Sequence, residues 1–226
     1  MLLSHKYKFI FIKTQKTAGT SMEISLSRYC GPDDIVTPFL NPEDEAFRRE
    51  LNIFPRNDLV PLRKYRGREL LKWLRGWRLR YWDHMPARQI KRFIGDEIYN
   101  NYYKFCFERN PWDKVISYYH WENRKQKYSS LDDFFSRKPL CTDYSKYTIN
   151  GDIAVDFIGR YENLMEDLQT VCGKLGIPFD GWMPRAKAGY RKDKRQYQDV
   201  LTLPQKEFID RCFENEIRLL HYSYGG

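Results

Sequence analysis

The sequence predicts a single three-layer α/β domain over residues 1–226, with a mainly parallel central sheet flanked by helices. Three observations carry this. Two apolar segments, Phe9–Ile12 and Tyr102–Phe107, each lead into a turn and then a helical pattern. A third strand-then-helix unit closes in the helix that starts near Glu162. No Gly/Ser-rich linker, low-complexity tract or internal repeat divides the 226 residues, and a chain of this length buries roughly 70–75% of its unfolded surface.

Phe9, Ile10, Phe11 and Ile12 are apolar without polar alternation, which suits a central strand covered on both faces. The turn after it reads K-T-Q-K-T-A-G-T-S to Ser21. Lys16 brings a charge, Gly19 permits close backbone approach, and Thr20 and Ser21 carry hydroxyls. A helix through Met22, Ile24 and Leu26 would aim free N–H groups and its positive dipole end at an anion. The plain alternative is a β–α connection holding a stray lysine. A nucleoside-triphosphatase loop needs G-x-x-x-x-G-K-[ST], whereas here Lys16 precedes Gly19, and no kinase signature set is present.

Residues 31–62 and 178–203 read as long irregular stretches framing a cleft. Arg56 to Arg80 holds nine Lys/Arg against Asp58 and Glu69, interleaved with Tyr65, Trp73 and Trp77. Such a face suits an anionic glycan or nucleic acid, or is a solvated helix face with its tryptophans turned inward. Tyr81–Ala87 reads as a strand end before a helix carrying Ile90 and Phe93, and His84 lies within it.

After Tyr102–Phe107 come Glu108, Arg109, Asn110, Pro111, Trp112 and Asp113. Asn110 is suited to the N-cap, Pro111 to the first helical position and Asp113 to the first turn. Arg109 therefore sits at the carboxyl end of a strand, where open α/β sheets bind ligands, and Ser117 lies two turns into the next helix. A guanidinium is shaped to grip phosphate oxygens in pairs, although Arg109 could equally pair with a neighbouring carboxylate. Further on, Leu164, Leu168, Val171, Cys172 and Leu175 form one apolar helical face. A last helix begins at Pro204.

The loop K-T-A-G-T-S, followed about ninety residues later by R-N-P-W-D-K-V-I-S, resembles the two cofactor motifs of sulfotransferases that use 3′-phosphoadenosine 5′-phosphosulfate (PAPS). Phe157–Leu168, the Leu175–Gly176 helix end and Tyr190–Tyr197 extend the likeness in patches, which is nearest to the carbohydrate and Golgi-type branch. The resemblance implies a P-loop-like fold. It implies that Lys16, Thr17, Ala18, Gly19, Thr20 and Ser21 hold the phosphosulfate, and that Arg109 and Ser117 grip the 3′-phosphate. Arg191 and Lys192 correspond to basic residues that close over the nucleotide. The R-K-G-x-x-G motif of the phenol and steroid enzymes is absent, since Asp193 follows Lys192.

Sulfuryl transfer requires an acceptor hydroxyl to lose its proton and a departing phosphate oxygen to be stabilised, both held in line. Lys16 is the natural group on the leaving side. Related glycan enzymes place a histidine base between the two motifs, which selects His84, and Asp83 is poorly aimed at it if both lie on a strand. His120, Glu122 and Glu162 are the alternative bases. The scheme needs no metal. Its partner is a small-molecule or glycan acceptor with a hydroxyl, and no nucleic acid. A small-molecule kinase and a basic nucleic-acid-binding domain compete with it, but neither explains both motifs in this order.

Five widely spaced cysteines without a C-x-x-C or Cys/His cluster suit a reduced compartment and suggest no metal. Only four consecutive apolar residues lie near the amino terminus, too few for a leader or membrane anchor, so a cytoplasmic location is expected. The 39 basic and 30 acidic residues leave a net charge of +9, part of which a polyanionic donor would use.

Overall fold

The computed structural model describes residues 1–184 and 195–225. Among these residues seven strands form: β1 (Leu2–Ser4), β2 (Phe9–Phe11), β3 (Ile35–Val36), β4 (Tyr103–Glu108), β5 (Thr148–Ile149), β6 (Asp152–Ile153) and β7 (Phe157–Arg160). Five make the central sheet in the order β3-β1-β2-β4-β7, and β5 and β6 pair by themselves.

The sheet is mixed rather than mainly parallel. β2–β4 and β4–β7 are parallel, whereas β1 runs antiparallel to both β2 and β3. The expectation failed at β1. Leu2–Ser4 is too short to show a period, and it joins β2 through a hairpin in which Lys8 takes φ 53°. Asp34 fastens that hairpin, accepting from Ser4 Oγ at 2.8 Å and from the His5 amide at 2.6 Å.

Helices α1 (Gly19–Ser27) and α2 (Pro42–Glu50) follow β2 and β3. Helices α3 (Arg68–Leu74), α4 (Ala87–Ile94) and α5 (Asp96–Asn101) precede β4. Helix α6 (Pro111–Glu122) leaves β4, and α7 (Leu131–Arg137) and α8 (Tyr144–Tyr147) come after it. Helix α9 (Leu164–Leu175) leaves β7, and α10 (Tyr197–Val200), α11 (Leu203–Cys212) and α12 (Glu214–Leu220) lie beyond.

Alternation along β2 and β4 sorts the core into two layers. Phe9, Phe11, Phe105 and Phe107 face α1 and α9, packing with Met22, Leu26, Leu168, Val171 and Cys172. Ile10, Ile12 and Cys106 face the other way, against Ile90, Phe93 and Ile94 of α4. The phenylalanine ladder is tight: the Phe11 and Phe105 rings are 5.2 Å apart, and a Cβ at Gly159 would strike the Phe107 ring. The apolar face expected on α9 is the one that packs, and Gly176 ends that helix at φ 67°. All five cysteines are free.

The stretch 31–62 contains one helix that periodicity does not reveal. α2 buries only Asp44 and Arg48, so it has no apolar stripe. Its signals are at the end instead: Asn41 caps the Glu43 amide, Pro42 opens the helix, and Glu43, Asp44 and Glu45 fill the first turn.

Candidate active site

The turn between β2 and α1 is held in an uncommon backbone shape. Lys16 and Ala18 both take φ 60°, a left-handed conformation that costs energy outside glycine. Ala18 is the N-cap of α1 and supplies no side-chain cap, and the first turn of α1 carries no acidic residue. The Ala18 carbonyl accepts the Met22 amide, so the amides before Met22 form the open, positive end of the helix.

Side chains of the turn divide between scaffold and surface. Thr17 is fully buried, with its hydroxyl 3.0 Å from that of Thr14, and Thr14 in turn bonds the Phe107 carbonyl of β4. Thr20 and Ser21 are also buried. Gly19 packs on Lys13, where a Cβ would lie 2.7 Å from Cγ and 3.2 Å from Cε. The glycine is thus required by a neighbouring side chain, a constraint separate from any ligand.

Lys13 was not singled out by sequence reasoning, yet it anchors the turn. Its ammonium is buried between Asp83 at 2.9 Å and Glu23 at 3.4 Å. Burial opposes its charge, but these two carboxylates outweigh that and raise its pKa. Asp83, likewise buried, is held below the usual carboxylate range because Lys13 and His84 outweigh its desolvation. A charge inside the apolar run F-I-F-I-K, and another in M-E-I, were the available signals.

His84 lies in a turn at φ 58°, not at a strand end, and α4 then carries Ile90 and Phe93 inward as expected. Its Nδ1 is 3.0 Å from the Lys13 carbonyl, which can only accept, so Nδ1 carries the proton and Nε2 presents a lone pair. Nε2 is 3.8 Å from Asp83 Oδ2, which the turn brings onto the same side. Burial lowers the His84 pKa to about 4, with Asp83 opposing and Lys13 and Lys146 assisting.

Arg109 closes the other side. Its Nη1 donates to the Lys16 carbonyl at 3.0 Å, and its Nε and Nη2 donate to Asp113 at 2.8 and 2.5 Å. The guanidinium also lies over the Tyr161 ring, 3.9 Å from its centre. Both the carboxylate pairing and the contact with the first motif are therefore present. An N–H remains on each terminal nitrogen. Asn110 caps α6 by accepting the Asp113 amide at 3.2 Å, with Pro111 at the first position, as the sequence predicts.

Helix spacing places Ser117 between two contacts to the turn. Asp113, one turn before it, holds Arg109, and Trp121, one turn after it, lies under Lys16 with Nζ 5.2 Å from the ring centre. Ser117 itself is half-buried. Of the alternative bases, Glu162 accepts the Asn110 amide at 2.7 Å and the Tyr222 hydroxyl at 3.2 Å, which makes it a strut. Glu122 is 3.6 Å from Lys138, and His120 lies in the last turn of α6. Arg191 and Lys192 lie outside the described residues.

A second buried charge cluster supports the turn from below. Lys114 reaches Asp143 at 2.7 Å and Glu108 at 2.8 Å, and Lys146 also pairs with Asp143. Asp143 then accepts the Gln15 amide at 2.7 Å, tying the turn to this cluster. Burial raises the pKa of Glu108, and Lys114 opposes that shift. Among the described residues, no group of three or more His, Cys, Asp or Glu side chains is arranged to hold a metal ion.

The chain is similar to known proteins in three respects. An uncharacterized protein of Archaeoglobus fulgidus is 40% identical over 101 residues, which is 42% of this chain and 84% of that one. A crystal structure of a sulfotransferase from Alicyclobacillus acidocaldarius superposes over 96% of each chain, with 17% identity and a TM-score of 0.45. A model described as the sulfotransferase family matches residues 1–223. On that match the chain belongs to the sulfotransferase family.

Proposed function

We propose that the protein transfers a sulfuryl group from PAPS to a hydroxyl of a carbohydrate acceptor, with the donor held across the Lys16 turn and the Arg109 strand end of a P-loop-like fold. The observation that carries this reading is the Arg109–Lys16 carbonyl contact, which joins the two anion-directed motifs into one locus. The donor set fits a polyanion. It offers an uncapped helix end without acidic residues, a lysine, and an arginine with N–H groups to spare.

The amides at the start of α1 and the Lys16 ammonium would hold the phosphosulfate end, and Arg109 with Ser117 the 3′-phosphate. When bound, PAPS supplies an activated sulfate on a good leaving group. Lys16 would neutralise charge growing on the departing oxygen. His84 is neutral at pH 7, the state a general base needs, and its Nε2 takes the acceptor proton. Its depressed pKa makes it a weak base in the free protein. A polyanion in the turn would raise that value, since nearby negative charge favours the imidazolium.

Sulfation of a panel of sugars, lipid headgroups and tyrosine peptides with labelled PAPS tests the reading. Incorporation into a glycan that Lys16→Ala abolishes supports it. Label appearing only on a non-carbohydrate acceptor would overturn the acceptor assignment, and no incorporation with any acceptor would overturn the activity.

A further inference from the structure

The segment around α3 has an exposure pattern that the donor site does not explain. Trp73 turns inward and packs on the core, and Glu69 pairs with Arg92 at 2.5 Å, which fixes the inner side of the helix. The outer side is apolar. Leu71 is 59% exposed, Leu74 72% and Trp77 67%, and Leu70 and Leu62 are exposed beside them. Leu70, Leu71 and Leu74 are spaced to share one helical face. The strand-like segment after it is not loose. Tyr65 accepts the Leu79 amide at 2.6 Å, and Leu59 and Arg80 form a β-bridge.

Cations surround this apolar ridge. Arg63, Arg66, Arg68, Lys72, Arg75 and Arg78 are exposed, and among the described residues none of them forms an ion pair. Glu69 is the only acidic residue from 62 to 80, and Arg92 already neutralises it. Contiguous exposed leucines with a tryptophan, ringed by unneutralised cations, are the features of a surface that sits in a bilayer interface.

We propose that the α3 face docks the protein on anionic lipid bilayers, with Leu71, Leu74 and Trp77 entering the headgroup–acyl boundary and the surrounding cations meeting lipid phosphates and carboxylates. Charge complementarity selects this occupant. A second copy would set one cationic ring against the other, because a two-fold contact pairs a patch with itself. Nucleic acid satisfies the cations but leaves the exposed leucines without a matching surface.

Flotation with phosphatidylcholine vesicles, with and without phosphatidylserine, tests the proposal on the full chain. The protein is expected to float with the mixed vesicles and not with phosphatidylcholine alone. Lys72→Gln/Arg75→Gln should weaken apparent binding about tenfold or more. Leu74→Ser/Trp77→Ser should remove the part of binding that resists added salt. Both pairs are exposed, so their melting temperatures should match that of the parent. Four results would overturn the proposal: no flotation with mixed vesicles, flotation of both variants equal to that of the parent, self-association that Leu74→Ser/Trp77→Ser abolishes, or retention of an oligonucleotide in place of vesicles.

Discussion

The Arg109 guanidinium donates to the Lys16 carbonyl at 3.0 Å across 93 positions of sequence. Lys16 is one of two residues in its turn with positive φ, so this bond fixes a carbonyl whose direction the left-handed conformation sets. Arg109 is itself set by Asp113, which Asn110 and Pro111 place in the first turn of α6. The capping chemistry of one helix thus orients the backbone before another.

Arg109→Lys should weaken adenosine 3′,5′-bisphosphate binding about tenfold to a hundredfold, because an ammonium cannot serve Asp113, Lys16 and a phosphate in one plane. Titration calorimetry measures this. Unchanged affinity would show that Arg109 is only a strut.

Ser117→Ala should weaken the same nucleotide by only about threefold to tenfold, the worth of one hydrogen bond. Its melting temperature should stay at the parent value, since Ser117 is half-buried between Asp113 and Trp121 and belongs to no core cluster.

Gly19→Ala should destabilise the fold by about 1–3 kcal/mol through overpacking. The new methyl meets Lys13 Cγ at 2.7 Å, and Lys13 cannot withdraw while Asp83 and Glu23 hold its ammonium. Urea unfolding gives the value, and an unchanged midpoint would mean that the Lys13 stem moves freely.

His84 sets a pH dependence whose sign follows from its environment. Its folded pKa is lowered from 6.5 to about 4, so the unfolded chain binds more protons between those values. The stability it contributes is present above 6.5 and is lost as pH falls toward 4. The rate should follow the same group, with kcat/KM rising with pH through its titration in the free protein and flat near neutrality on that limb. A titration of the imidazole resonances checks the first, and a midpoint near 6.5 would contradict it. His84→Asn should lower kcat by about 10²–10⁴ with KM little changed.

Much of this arrangement was legible where chemistry is local in sequence. Asn110–Pro111 announced the start of α6, Phe9–Ile12 a central strand, and Gly176 the end of α9. Long-range pairings were not legible. Lys13 reads as the first residue of the turn after Phe9–Ile12, and nothing nearby in sequence shows that Asp83 will meet it. Asp143 likewise supports the turn through the Gln15 amide from 128 positions away. The His84–Asp83 relation was misjudged because a strand was assumed where the chain makes a turn, and a turn brings adjacent side chains together. Three-residue β1 and the uneven surface of α2 escaped because neither has a period to detect.

The most direct test of the central claim is calorimetric titration of the purified protein with adenosine 3′,5′-bisphosphate in metal-free buffer, beside ATP with magnesium. One saturable site for the bisphosphate is expected, lost in Lys16→Ala and Arg109→Ala, with weak binding of ATP. No saturable binding at about millimolar nucleotide, or binding by both variants as tight as that of the parent, would contradict it.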